Sequence, residues 1–351
     1  MKVDRARLQA EITDITRRYA EAGYFPSASV LAFDAHEFLA AACVGEARED
    51  SLFDLASLTK IATAVQVLNL IRAGRISLES TLSDVLPGIS ADPFLNARAG
   101  EIPFRRLLTH TSSLPAWYPF YTTGEADFFA ALRIALTHTE PSEGVEYSDL
   151  NFMLLGKVLE TLQGKPLARC LREDLAEPLG LGQICYHPDA GLPVVPSCYG
   201  NPIEMDMCAQ RGLSYSGFRP VDQPVAGTVN DGNAHYYFHD EAGHAGVFAD
   251  AAALARLCQF FMNTDDPLLL AAQEEQPGAP GRGLGFQTGI SYPHGCGHTG
   301  FTGTGIYFSR THGVGVISLT NRLFYPYENP MQTWEFRRAL QEAVFALAAQ
   351  P

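Results

Sequence analysis

The chain has no uninterrupted apolar run long enough to span a bilayer, no C-x-x-C pair and no long stretch of lysine or arginine. The first absence argues against an integral membrane segment. Its beginning, Met1-Lys2-Val3-Asp4-Arg5-Ala6-Arg7, leads into an amphipathic pattern and not an apolar signal core. That predicts a cytoplasmic protein, or a periplasmic or secreted one if a leader was removed. The second absence leaves cysteines 43, 170, 185, 198, 208, 258 and 296 as an odd, scattered set, read as reduced thiols. The third, with a net charge of -14, excludes nucleic acid as a partner. Internal repeats and low-complexity segments are missing too. What is present is 351 residues, 46% of them hydrophobic, which is enough for a large core. The 31 glycines and 22 prolines speak against a purely helical bundle. Nothing in the sequence indicates an oligomeric state.

Periodicity places the elements. Leu8, Ile12, Ile15 and Tyr19 recur at helical spacing, with Gly23 as the stop. Apolar runs at 28–33 and 38–44 predict a hairpin, and 304–309 with 314–320 predict a second one near the other end. Helices are expected from Ser57 to Arg72 with an apolar face of Ile61, Val65, Leu68 and Ile71, then over 127–138, 150–162 and 251–262, and at the end through Phe336, Leu340, Val344 and Leu347. Residues 186–235 carry no expected element. The assembly this predicts is α+β: an antiparallel sheet built from both ends of the chain, flanked by the terminal helices, with a helical region inserted. The corresponding domains are 1–60 with 240–351 for the sheet and 61–239 for the helices, with the active site between them.

Three short motifs carry chemistry. In Ser57-Leu58-Thr59-Lys60, a three-residue helical spacing lets the lysine amine reach the serine oxygen, and a serine hydroxyl is a poor nucleophile until a base takes its proton. The N-terminal position adds unpaired N–H groups for an oxyanion. In Tyr147-Ser148-Asp149, a phenol of reference pKa ~10 becomes a usable base only beside positive charge, which Lys60 could supply. In His298-Thr299-Gly300, glycine lets a substrate backbone approach, and the following Phe301 N–H could donate to an oxyanion. Each alone has an ordinary structural explanation: an N-cap with a solvated lysine, a packed tyrosine, a glycine-rich turn.

Together, in this order, they resemble the S-x-x-K, Tyr-x-Asn/Asp and Lys/His-Thr-Gly motifs of the serine β-lactamase and penicillin-binding protein superfamily. Leu107-Leu108-Thr109-His110-Thr111-Ser112-Ser113-Leu114 resembles its L-L-T-H-T-S-G-L segment. Gly243-His244-Ala245-Gly246-Val247-Phe248 and Leu319-Thr320-Asn321-Arg322 resemble two more, and the likeness points to the class C-like branch. The resemblance implies a β-lactamase/transpeptidase-like fold and a serine hydrolase working through an acyl-enzyme. Its substrate would be a small or peptide-like acyl compound, with a carboxylesterase, a D,D-peptidase or a D-aminopeptidase as the expected type and weak β-lactamase activity alongside. It implies Ser57 as nucleophile, Lys60 as its activating partner, Tyr147 as proton shuttle, the Ser57 and Phe301 N–H groups as the oxyanion hole, and Asp149, His298, Thr299 and Gly300 as substrate contacts. No cofactor and no metal are implied.

Two positions depart from the usual pattern. A carboxylate at Asp149 would favour the ammonium form of Lys60, and so Tyr147 as the working base. His298 replaces lysine, and a histidine of reference pKa ~6.5 is a weaker cation at neutral pH. This shifts the expectation from an efficient β-lactamase to an esterase or unusual peptidase. The alternative is a non-hydrolysing penicillin-binding sensor that keeps the fold. A metal centre among His235, His239, Asp240, Glu241, His244, His294 and His298 is disfavoured, since Gly243 interrupts any helix that would present two of them together. Pocket walls are sought in the aromatics at 117, 118, 120 and 121, for which core packing is an equal expectation, in 186–235 and in 324–327.

Overall fold

Alternation decides the central sheet. In the strand Ala28–Asp34 (β1), Leu31 and Phe33 enter one core while Ala28, Val30 and Ala32 enter another. The strands Phe38–Val44 (β2), Cys296–Thr299 (β3), Gly305–Ser309 (β4) and Val314–Thr320 (β5) join it. The order is β2-β1-β5-β4-β3, antiparallel throughout, and Leu31 lies between Ala41 and Ile317. A computed structural model supplies this description for residues 4–324 and 333–348.

Both faces of the sheet are covered. The helices Arg5–Glu21 (α1) and Trp334–Ala348 (α6) bring Leu8, Ile12, Phe336, Leu340 and Val344 onto one face. On the other, the helix Ala251–Met262 (α5) sets Phe261 against Phe286 and Phe308. From there one apolar cluster runs on into the helices Thr59–Arg72 (α2), Phe128–Thr137 (α3) and Asp149–Gln163 (α4). The expected α+β architecture is therefore what forms.

Three expectations change. The helix α2 buries every residue from Thr59 to Leu68, not one face, because it is packed round by other elements. Inside, Thr63 Oγ1 donates to the Gly243 carbonyl at 2.7 Å and Gln66 Nε2 to the Ala62 carbonyl at 3.0 Å, while Gln66 Oε1 has no partner among the described residues. Residues 186–235 do contain structure. A helix spans Pro202–Gln210, and strand pairs join Cys198–Tyr199 to Pro224–Val225. Only Cys208 of that helix is buried, so no apolar period marks it. Finally, Tyr118, Phe120 and Tyr121 are core residues, with Tyr121 packed against Tyr215, Phe218 and Tyr236. Phe324 stacks on Tyr199 at 4.6 Å, and residues 325–327 lie outside the described residues.

No helix among the described residues is long and apolar enough to cross a membrane. All seven cysteines are free thiols.

Candidate active site

Between Ser51 and Leu68 every residue is buried except Ser57. It sits on a tight turn, Ala56–Leu58, that feeds directly into α2. Ala56 holds φ at +46°, a left-handed conformation that costs an L-residue about 1–3 kcal/mol and persists only where its surroundings impose it. Here they do. Asp54 accepts from the Ala56 N–H at 2.8 Å and the Asn230 N–H at 2.6 Å. Thr302 and Thr304 hydroxyls bind the Asp54 and Leu55 carbonyls at 2.7 and 3.0 Å, and the Leu55 N–H donates to Val247 at 3.0 Å. The serine turn is thus tied to the segments around 230, 247 and 303.

Lys60 is fully buried, one turn beyond Ser57. Its Nζ lies 3.0 Å from Ser57 Oγ, 2.7 Å from Asp149 Oδ1 and 3.2 Å from the His244 carbonyl. Burial opposes the charge on Lys60, but Asp149 and then Tyr147 outweigh it and hold the ammonium form above an ordinary lysine. The His244 carbonyl reaches this position because the chain passes α4 at Gly156 and Gly243. A Cβ on Gly243 would meet the Phe152 carbonyl at 2.2 Å.

Tyr147 immediately precedes α4, and its ring lies 4.9 Å from Lys60 Nζ. Its hydroxyl is buried and makes no hydrogen bond of good geometry among the described residues. Burial raises its pKa, and the opposing pull of Lys60 does not cancel that, so the resting group is a neutral phenol. The ring packs on His110, centroid to centroid 4.6 Å. His110 Nδ1 accepts from the Ser148 N–H at 3.1 Å and lies 3.2 Å from Asn151 Nδ2, which fixes the start of α4. Burial, then nearby Arg282 and Lys60, keep this histidine neutral. Ser113, where the resembled segment has glycine, adopts φ +66°, the region that glycine enters without strain.

The third motif is the edge strand β3. His298 is buried, with Nδ1 2.8 Å from the Thr299 carbonyl. Burial and then the Lys60 charge lower its pKa to about 3. It is a neutral imidazole, with Nδ1–H donating and Nε2 left as the acceptor. Phe301 is 45% exposed in a turn closed by Gly303 N–H to Gly300 C=O at 3.0 Å, a bond in which its own N–H takes no part. Ser57, Tyr147, Thr299, Gly300 and Phe301 line a single cavity of about 310 Å³. Lys60, Asp149 and His298 stand behind its wall.

A family model described as beta-lactamase matches residues 12–339. The chain belongs to that family. An N-acetylmuramyl-L-alanine amidase of Bacillus subtilis strain 168 is 28% identical over 313 residues, 80% of this chain and 70% of that one. A putative D-alanyl-D-alanine carboxypeptidase of Salmonella typhimurium is 24% identical over 316 residues, 81% and 72% of the two chains. The solved D-amino acid amidase of Ochrobactrum anthropi SV3 superposes with a TM-score of 0.73 at 18% identity, over 96% of this chain and 98% of that one. EstCE1, a hydrolase with promiscuous acyltransferase activity, gives 0.72 at 18% identity, over 97% and 99%. The fold is the beta-lactamase/transpeptidase one, and the chain is a hydrolytic enzyme of this family.

Five residues of the cavity carried no role in the sequence: Arg282, Gln287, Arg322, Thr333 and Arg337. Of them only Arg322 stood in a segment with a family likeness. Two of the histidines around 235–244 are paired with carboxylates, His235 with Asp240 at 2.6 Å and His244 with Asp231 at 2.9 Å. No group of three potential metal ligands occurs among the described residues.

Gly300 gives a local test. A Cβ there would lie 2.1 Å from Thr304 Oγ1 and 2.4 Å from the Leu55 carbonyl, the bond that ties β3's end to the serine turn. Gly300→Ala must push the two apart. A displacement of this kind costs about 10²-fold in rate, so kcat/KM for a short-chain ester should fall by about that factor. An unchanged kcat/KM would show that the spacing of strand and serine does not matter.

Proposed function

We propose that this enzyme hydrolyses an ester or amide through an acyl-enzyme on Ser57, in a groove between a sheet domain (residues 1–60 and 240–351) and a helical domain (61–239). The observation that carries the reading is the 3.0 Å approach of Lys60 Nζ to Ser57 Oγ in a turn where Ser57 alone reaches solvent.

Ser57 Oγ attacks the carbonyl carbon, and its proton passes to Tyr147 in the form where the phenol has been ionised beside the Lys60 ammonium. The oxyanion is met by the N–H groups of Ser57 and Phe301. Tyr147 returns the proton to the leaving alcohol or amine, and water, deprotonated by the same group, releases the acid. Asp149 sets the charge on Lys60, while His298, Thr299 and Gly300 align the substrate along the edge of β3. His298 does so from behind the wall, as a neutral imidazole held on the Thr299 carbonyl. A carboxylate on the substrate gains no ion pair from it.

Incubation with a fluorophosphonate should add one phosphonyl mass to the Ser57 peptide, and short-chain 4-nitrophenyl esters should turn over many times. A stable penicillin adduct without ester turnover would instead identify a non-hydrolysing sensor. An adduct on another residue would remove Ser57 from the chemistry.

A further inference from the structure

Many cations in this acidic protein sit against a carboxylate. Arg72, Arg105, Arg133, Lys157 and Lys165 each pair with a carboxylate within 3.0 Å. The cavity beside Ser57 gathers three that do not. Arg282, Arg322 and Arg337 all line it, and none has a carboxylate within ion-pairing distance among the described residues. They arrive separately: Arg282 from the loop before β3, Arg322 from just after β5, Arg337 from the first turns of α6. Among the described residues, the acidic groups next to Arg282 and Arg337 in sequence are engaged elsewhere. Glu275 accepts from the Gly281 N–H at 2.7 Å, Glu335 from the Tyr24 hydroxyl, and Glu342 pairs with Arg338 at 2.8 Å.

Each guanidinium is held in place with donors to spare. Arg322 is only 6% exposed. Its Nε donates to the Phe301 carbonyl at 2.9 Å, and its plane lies 5.2 Å from the Phe301 ring centroid. Its Nη1 is buried and has no acceptor among the described residues. Arg337 spends Nη1 on Thr333 Oγ1 at 2.7 Å. Arg282 lies over the Tyr147 ring at 5.4 Å and makes no side-chain hydrogen bond among the described residues. Removing guanidinium groups from water without counter-charge is costly, and three facing one cavity also repel one another. One carboxylate satisfies one guanidinium fork; three forks call for more charge than that.

We infer that this cavity holds a dianionic group of the substrate, a phosphate monoester or a pair of carboxylates, gripped by Arg282, Arg322 and Arg337 while the scissile carbonyl lies over Ser57. This rests on the hydrolase reading above, and narrows it to acyl compounds carrying two negative charges. The neutral His298 contributes no charge and the Lys60 ammonium is paired with Asp149 at 2.7 Å, so the arginines are the unpaired cations there.

The test uses hydrolysis of neutral 4-nitrophenyl butyrate at pH 8 and constant ionic strength, with inorganic phosphate, succinate and acetate as competitors. Phosphate or succinate should inhibit competitively with a Ki at least about tenfold below that of acetate, and the stronger of the two identifies the kind of dianion. Arg282→Gln and Arg337→Gln should each raise that Ki about tenfold, with the acetate value far less affected. Both arginines are partly exposed, so these variants are safer for folding than one at Arg322. Ser57 labelling by the fluorophosphonate checks that each variant keeps its site. Equal inhibition by all three anions, or a Ki unmoved by both substitutions, overturns the inference. So does dianion inhibition that appears only in Glu328→Gln, since Glu328, outside the described residues, would then be the arginines' own counter-charge. The hydrolase reading fails on different results: no butyrate turnover and no adduct on Ser57.

Discussion

Lys60→Met should reduce ester kcat by at least about 10⁴-fold, as much as Ser57→Ala, and the double variant should lose nothing further. The reason is the shared contact. Lys60 Nζ touches the nucleophile, the Asp149 carboxylate and the His244 carbonyl at once, and among the described residues no other ammonium or guanidinium hydrogen-bonds Ser57. Without it the phenolate form of Tyr147 loses the charge that opposes its burial, so the proton acceptor and the nucleophile fail together. Methionine keeps the length and apolar stem of lysine in a site with no access to water, which limits the packing loss. Groups acting as one unit show this non-additivity. Losses that instead add as free energies would mean that Ser57 and Lys60 serve separate steps. Melting curves and fluorophosphonate labelling of Lys60→Met separate a chemical defect from an unfolded site.

Much of this was readable before the fold was known, and the residues say why. The sheet was legible because Leu31 and Phe33 alternate with Val30 and Ala32, a period of two that only a two-faced strand uses. Ser57 and Lys60 were legible because their meeting depends on one helical turn, a local geometry. The Asp149 contact with Lys60 followed from motif order alone. What stayed hidden depends on tertiary placement. The helix Pro202–Gln210 has almost no buried side, so nothing periodic announces it, although Pro202 at its first position was a visible start signal. The three arginines lie in a glycine-rich loop, at the close of a strand and on a helix read for its apolar face, and nothing in their spacing says that they converge. The neutrality of His298 comes from complete burial near Lys60, which no residue count contains. Tyr118 and Phe120 show where sequence leaves two readings level: an aromatic cluster near the motifs serves equally as pocket wall or core, and here these two residues fill the core.

Asp149→Asn separates two roles for that residue, because each predicts a different measurement. Its Oδ1 is 2.7 Å from Lys60 Nζ, and a carboxylate there favours the protonated form of both neighbours, Lys60 and Tyr147. Asparagine keeps the shape and removes the charge. Both neighbours then release a proton more readily, so the limb along which kcat/KM rises with pH should move down by about 1–3 pH units. Stability should fall as well. Breaking a buried pair from one side costs about 3–5 kcal/mol, since the remaining ammonium has no counter-charge. Lys60 has a folded-state pKa above its unfolded value. The pair's contribution is therefore complete below the unfolded pKa of about 10.4 and fades only as pH rises through the higher folded value. At neutral pH the whole loss should accordingly appear in urea unfolding midpoints. If Asp149 instead works by touching the substrate, the variant raises KM, leaves the limb where it was and keeps Lys60 charged. An unmoved limb would sink the electrostatic role and, with it, the account of why Tyr147 and not Lys60 takes the proton.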